Sequence, residues 1–226
     1  MHFPEANNAG TANTTISLIA SQAKAHEIMG ENFFGIEEAR KHFGLNPSKW
    51  QLAYMEEVPF SEEVLRACKD THILVAYIPI SIVSVRAKTA NIELPENHQH
   101  IFFKQDWYDE NAVGNGESEL KWYLVLKTPV PDSKSKLWQA QKILVDSTKT
   151  DEVPEANVMV YTIIGHFLET GVRLFENEHV RTNTLCPRGG HVHVGPFFSV
   201  GFSVNSWGDD VCSDRIGVSA CRKIEA

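Results

Sequence analysis

Hydrophobic residues recur at helical spacing through the first part of the chain and change to short β-like runs after Asp70. Ile16, Ile19, Ala20 and Ala23 share one helical face, with Thr14 or Thr15 available as a cap. Ile36, Ala39 and Phe43 repeat the spacing in a short helix, which Gly44 is placed to stop in the left-handed conformation. Asn46-Pro47 supplies a cap and a first-turn proline for a helix carrying Trp50, Ala53 and Tyr54. Ser61 caps the next helix, with Glu62 and Glu63 in its first turn and Phe60 stapled onto Leu65. Ahead of all these, Met1 to Thr15 holds little to bury and reads as a flexible arm.

His72 to Ile78 is a branched apolar run of the kind found in buried strands. Pro79 cannot donate to a ladder, so it marks a break before a second strand at Ile80 to Val85. Ile101 to Phe103 and Trp122 to Leu126 predict further strands, separated by the glycine-bearing polar loop Asn111 to Ser118. Ser133 or Ser135 opens a helix through Leu137, Ala140, Gln141 and Leu144, and Asp146 to Val153 is the best candidate for an internal boundary. In Pro154 to Thr170 the branched residues favour a strand. Length, the proline entry and the Thr170-Gly171 exit favour a helix, and a largely buried helix is predicted. Phe198, Val200, Phe202 and Val204 alternate with Ser199, Gly201, Ser203 and Asn205, which predicts one strand with a dry face and a wet face. Asn205 to Asp210 then turns, and Ile216 to Ala220 is a last strand. The sum is an α+β fold, with N-terminal short helices packed on a mixed or antiparallel sheet and a C-terminal β-meander. Residues 16–226 are expected to form a single domain.

Composition narrows the function more than the fold. The 226 residues are 42% hydrophobic and 22% charged, which gives enough material for a substantial core. A net charge of −8 repels polyanions, so nonspecific nucleic-acid binding is not expected. A local basic patch around Lys127, Lys134, Lys136 and Lys142 reads as solvated side chains. The longest apolar runs, Ile73 to Ile78 and Val158 to Ile164, fall far short of the ~20 residues of a spanning helix, so no membrane insertion is expected. No cationic start and apolar stretch suggests a secretory signal. Cys68, Cys186, Cys212 and Cys221 form no C-x-x-C pair and are expected as reduced thiols in a cytoplasmic setting.

Two His-x-His strings are the main candidates for chemistry. On a strand, side chains two apart share a face at roughly 6.7 Å, so each pair could grip one ion. His191 and His193, between Gly189-Gly190 and Gly195-Pro196, could hold zinc or another divalent metal if a third ligand arrives. His98 and His100, Asp209, Asp210 and His179 are the candidates for it. The ordinary alternative places both histidines on the solvent face, with Val192 and Val194 toward the core. His166 within its apolar run reads as a core histidine, and His72 is a similar case. Asp106, Asp109 and Glu110, and likewise Asp209, Asp210 and Asp214 around Cys212, could bind a hard cation or act as acid and base. Asp is also simply common in turns. The cysteines fit no standard zinc spacing, and no common nucleotide-binding or hydrolase signature is present. Trp107 and Trp207, near turns, are the aromatic residues best placed to anchor a ligand or partner.

From about Ile28 to Lys223 the chain resembles a family of bacterial proteins to which no activity is assigned. The resemblance is carried by Asn32-Phe-Phe-Gly-Ile-Glu-Glu-Ala39, Asp70-Thr-His-Ile-Leu-Val-Ala76 and Val160-Tyr-Thr-Ile-Ile-Gly-His166. Leu174-Phe-Glu-Asn177 and Val180-Arg-Thr182 continue it. It implies no reaction, cofactor or partner. The residues themselves point to a non-catalytic binding or assembly protein of the bacterial cytoplasm, acting on a protein partner or by self-association. A metal-dependent hydrolase built on the His-x-His strings, or a carbohydrate or surface-ligand module, are the alternatives.

Overall fold

The computed structural model describes residues 19–94, 96, 100–109 and 112–224, and its fold is α+β. The expected arm lies outside the described residues. β1 (Ala20–Ser21) leads into α1 (Gln22–Met29), which starts later than the pattern predicts because Ser21 provides the cap, its Oγ accepting from the Lys24 amide at 3.2 Å. β2 (Phe33–Phe34) and α2 (Ile36–Phe43) follow, and Gly44 closes α2 at φ 59° as expected. α3 (Lys49–Tyr54) is capped by Ser48 and not by Asn46. Gln51 returns its side chain to the Ser48 amide at 2.8 Å, completing a reciprocal box that Asn46 is too far upstream to make. β3 (Glu57–Val58) pairs with β1, and Ser61 caps α4 (Glu62–Cys68) as predicted.

β4 (His72–Tyr77) ends before Pro79, and the strand expected at Ile80 to Val85 is instead α5 (Ile82–Lys88). Ser81 Oγ takes the Ser84 amide at 3.2 Å, and Ile82 and Val85, one turn apart, bury the same face. α6 (Ala112–Asn115) is a single turn before β5 (Lys121–Leu126). The helix expected to open at Ser133 or Ser135 begins only at α7 (Trp138–Ser147). Ser133 is fully buried and spends its hydroxyl on the Val218 amide, while Ser135 has φ 55°. β6 (Asp151–Glu152) precedes α8 (Ala156–Thr170), the helix predicted over 154–170, which Gly171 closes at φ 75°.

β7 (His179–Leu185), β8 (His191–Phe198), β9 (Gly201–Ser206), β10 (Ile216–Val218) and β11 (Cys221–Arg222) complete the chain. The alternating run from Phe198 is a hairpin and not one strand. The chain reverses at Ser199-Val200, so Phe198 faces Gly201, and only Phe202 and Val204 of the expected dry set are buried. Ile101 to Phe103 forms no strand either; it lies along β9 through Phe103 N–H to Phe202 O (3.0 Å) and Phe202 N–H to Ile101 O (2.7 Å).

Two sheets carry the architecture, in the orders β2-β4-β5-β11-β6 and β10-β7-β8-β9. β7, β8 and β9 form an antiparallel meander, and β10 joins β7 in parallel. α8 touches both sheets, and every residue from Ala156 to His166 is buried. A helix apolar all round must be enclosed, and each fully buried Val or Ile on it contributes about 1.5–3 kcal/mol. Ile73, Val75 and Tyr77 of β4 pack toward α8, whereas Leu74 and Ala76 pack with Ala25 and Leu65 of the N-terminal helices. Both faces of β4 are dry, which is why its sequence shows no alternation. No helix among the described residues is long and apolar enough to cross a membrane.

Candidate functional site

The period of two along strands places His179 and Arg181 of β7 and His191 and His193 of β8 on one face of the four-stranded sheet, with Val180, Val192, Val194 and Val204 in the core on the other. The expectation that the two β8 histidines are solvent-facing is incorrect. His191 is 8% exposed and His193 is 0% exposed, because α7 and the segment after β9 cover this face. Trp138 of α7 stacks on the His191 ring at 3.7 Å. Asp209 receives His191 Nδ1 at 2.9 Å and the His191 amide at 2.9 Å. His193 turns elsewhere: its Nδ1 lies 3.1 Å from Nδ1 of His179, so one ring donates and the other accepts. Trp207 packs against both rings. Burial, with His179 and Arg181 alongside, pushes His193 down to about 3 and keeps it neutral.

Arg181 is the largest fully buried side chain of the described residues. Its guanidinium donates to Gln141 Oε1 (2.8 Å), Gly208 O (3.3 Å) and Val211 O (2.5 Å), and reaches Lys136 O at 3.4 Å. Burial lowers its pKa, and Asp209 and Cys212 oppose that shift. A buried cation is tolerated only when most of its donors are satisfied. Here the two terminal nitrogens tie α7 and the segment 207–211 onto the sheet, while Nε has no partner among the described residues.

That tied segment forms one wall of a surface cleft of about 530 Å³, lined by Trp107, Arg188, Asn205, Ser206, Trp207 and three glycines. Trp107 is fixed by its indole N–H, which donates to Val204 O at 2.8 Å. Trp207 keeps 37% of its surface exposed while its ring is backed by the histidines. Gly190, at φ 78°, brings its backbone so close to that of Trp207 that a Cβ would stand 2.2 Å from Trp207 O. Arg188 sits on the turn Cys186-Pro187-Arg188-Gly189, closed by the Gly189 amide on Cys186 O at 2.9 Å, and is exposed. It has no carboxylate partner among the described residues.

No protein-family model, curated protein or solved structure matches this chain. The site therefore rests on its own geometry.

The structure brings together Trp107 with Trp207, and His191 with Asp209, and adds His179 to His193. His98 lies outside the described residues. His100 bridges Glu93 and lines a different cavity of about 300 Å³ with Arg86 and Phe102. Among the described residues no three His, Cys, Asp or Glu side chains gather in a metal-holding group. Asp109 pairs with Arg86 at 2.7 Å, and all four cysteines are free thiols. Of the lysine cluster, Lys134 pairs with Glu178 and Lys142 with Asp146, while Lys127 reaches Asn32 at 3.2 Å. Sequence reasoning missed Arg181, Trp138 and Arg188. Arg181 had a usable signal, standing two residues from His179 and so on its face of β7.

Proposed function

We propose that this chain is a non-catalytic binding protein of the bacterial cytoplasm, and that the cleft between Trp107 and Trp207 is its ligand seat. One observation carries the reading: two tryptophans far apart in sequence line a single cleft, each held from behind by the fold. Aromatic faces give large contact area at low conformational cost, and a wall fixed in advance by Arg181 lowers the entropy lost on binding. The volume suits a small molecule. The buried histidines support a structural role for their cluster, since their Nδ1 atoms are spent on each other and on Asp209. A thermal-shift screen of small organic acids, sugars and nucleosides tests the reading. At least one compound raises the melting temperature of the wild type and not of Trp207→Ala; compounds that shift neither protein, or both alike, refute it.

A metal-dependent hydrolase is the second reading, favoured by the His191–Asp209 pair. A histidine whose Nδ1–H is held by a carboxylate presents Nε2 as a metal ligand or base. The nearby Arg181 guanidinium opposes a cation there. Metal analysis of untagged protein decides: stoichiometric metal lost in a His191→Ala/His193→Ala double variant would promote this reading, and trace metal unchanged in that variant ends it.

A further inference from the structure

The hydrogen-bonding groups of the cleft are unevenly spent. Asn205 Oδ1 already accepts from the Ser206 amide at 2.8 Å, Gly190 O from the Cys186 amide at 2.9 Å, and Gly208 O from Arg181 and the Val211 amide. Among the side chains, what remains for a ligand is mostly donors. They are the Arg188 guanidinium, the Trp207 indole N–H and Asn205 Nδ2, with the Ser206 hydroxyl able to act either way, and none has a protein acceptor among the described residues. The Asp210 carboxylate approaches Gly208 but does not line the cleft. A donor-rich surface beside an unpaired guanidinium matches a ligand that brings acceptors and negative charge. The indole of Trp207 adds a flat apolar face for a ring. The molecule's net charge of −8 selects against a polyanion, so a small anion is the better match.

We propose that the cleft binds a carboxylate carried on a six-membered ring, the ring lying against Trp207 and the carboxylate paired with Arg188. This rests on the reading of the cleft as the ligand seat. An aromatic acid and a uronic acid share that chemistry, and the test separates them. Benzoate and glucuronate are titrated into the full chain, with benzyl alcohol and glucose as their neutral counterparts, by calorimetry and tryptophan fluorescence. One acid binds saturably, about tenfold tighter than its neutral counterpart, and which acid does so identifies the ring. Arg188→Gln brings the acid to within about threefold of the neutral compound. Trp207→Ala removes binding, and Trp207→Phe, which keeps a flat face over the histidines, retains it with an unchanged melting temperature. Equal binding of acid and neutral compound, still lost in Trp207→Ala, overturns the anion preference and leaves the ligand seat standing. Binding that survives Trp207→Ala, or no saturable binding of any of the four, overturns the proposal; the first of these also overturns the seat.

Discussion

Lowering the pH from 7.5 to 5.5 should cost this fold about 3 kcal/mol through two histidines alone. His193 is 0% exposed and His166 is 4% exposed. Burial is the main reason that His193 is pushed to about 3 and His166 to about 4; His179 and Arg181 reinforce it at His193, and Lys127 at His166. The unfolded chain takes up a proton on each near pH 6.5, while the folded chain does not until far lower. Acid therefore favours unfolding: the stability is fully present above about pH 7.5 and is lost as pH falls through 6.5 toward the folded values. At pH 5.5 each histidine accounts for RT ln 11, roughly 1–2 kcal/mol. His72, half-buried and held at about 4, and His179, also lowered by burial, act in the same direction.

The window isolates histidine from carboxylate. Glu27, Glu96 and Glu169 are lowered from 4.5 by their lysine, arginine or histidine partners, so they titrate below it. Urea unfolding followed by circular dichroism at pH 7.5 and 5.5 reads the difference directly, against a total stability of about 5–15 kcal/mol for an ordinary domain. His193→Gln and His166→Gln should each remove roughly 1–2 kcal/mol of the pH dependence, whatever they do to stability at pH 7.5. A difference below about 1 kcal/mol in the wild type, or the same dependence in both variants, would refute the argument that these rings are buried neutral.

Arg181→Ala strands the Gln141 and Val211 acceptors, takes one of two donors from Gly208 O, and should cost at least about 3 kcal/mol in urea unfolding, with faster hydrogen exchange across 207–211. Exchange rates there equal to wild type would show that the guanidinium does not hold the segment. Gly190→Ala pays twice, once for φ 78° and once for a Cβ 2.2 Å from Trp207 O, so a loss of about 2–3 kcal/mol and a red-shifted tryptophan emission are expected. Tyr161→Phe removes the hydrogen bond to Ala76 O, 3.0 Å long and buried, together with the backbone hydrogen bond from Ile78, and should cost about 1–3 kcal/mol by the same unfolding assay.

The elements that could be read from sequence are those whose own residues decide them. Ser61 caps with its own hydroxyl, Gly44 takes the left-handed conformation that glycine tolerates, and α8 is too long and too uniformly apolar to be a strand. The misread segments were decided by partners elsewhere in the chain. Ser133 reads as a helix cap until Val218 of β10 claims its hydroxyl, and the alternation from Phe198 to Asn205 runs through a hairpin whose two-residue turn flips the parity, so that Phe197 and not Phe198 stands opposite Phe202. Ile80 to Val85 is the intermediate case. Its branched residues suit a strand, yet one local hydrogen bond at Ser81 is enough to start a helix once Pro79 has ended the ladder.

The candidate site divides along the same line. Parity alone puts His191 with His193, but it does not say which face of the sheet is covered. The cover comes from α7 and from the segment after β9, and both are fastened by Arg181 from a third strand. A histidine pair that reads as wet becomes buried; burial then keeps His193 neutral, and the covered face sets the pairing of His193 with His179, that of His191 with Asp209, and the backing that His193 gives Trp207. The cleft is thus the outer surface of a polar core. Its exposed wall keeps its shape because the groups beneath it have no water to turn to, so whatever loosens Arg181 or charges His193 should reach the ligand seat through Trp207.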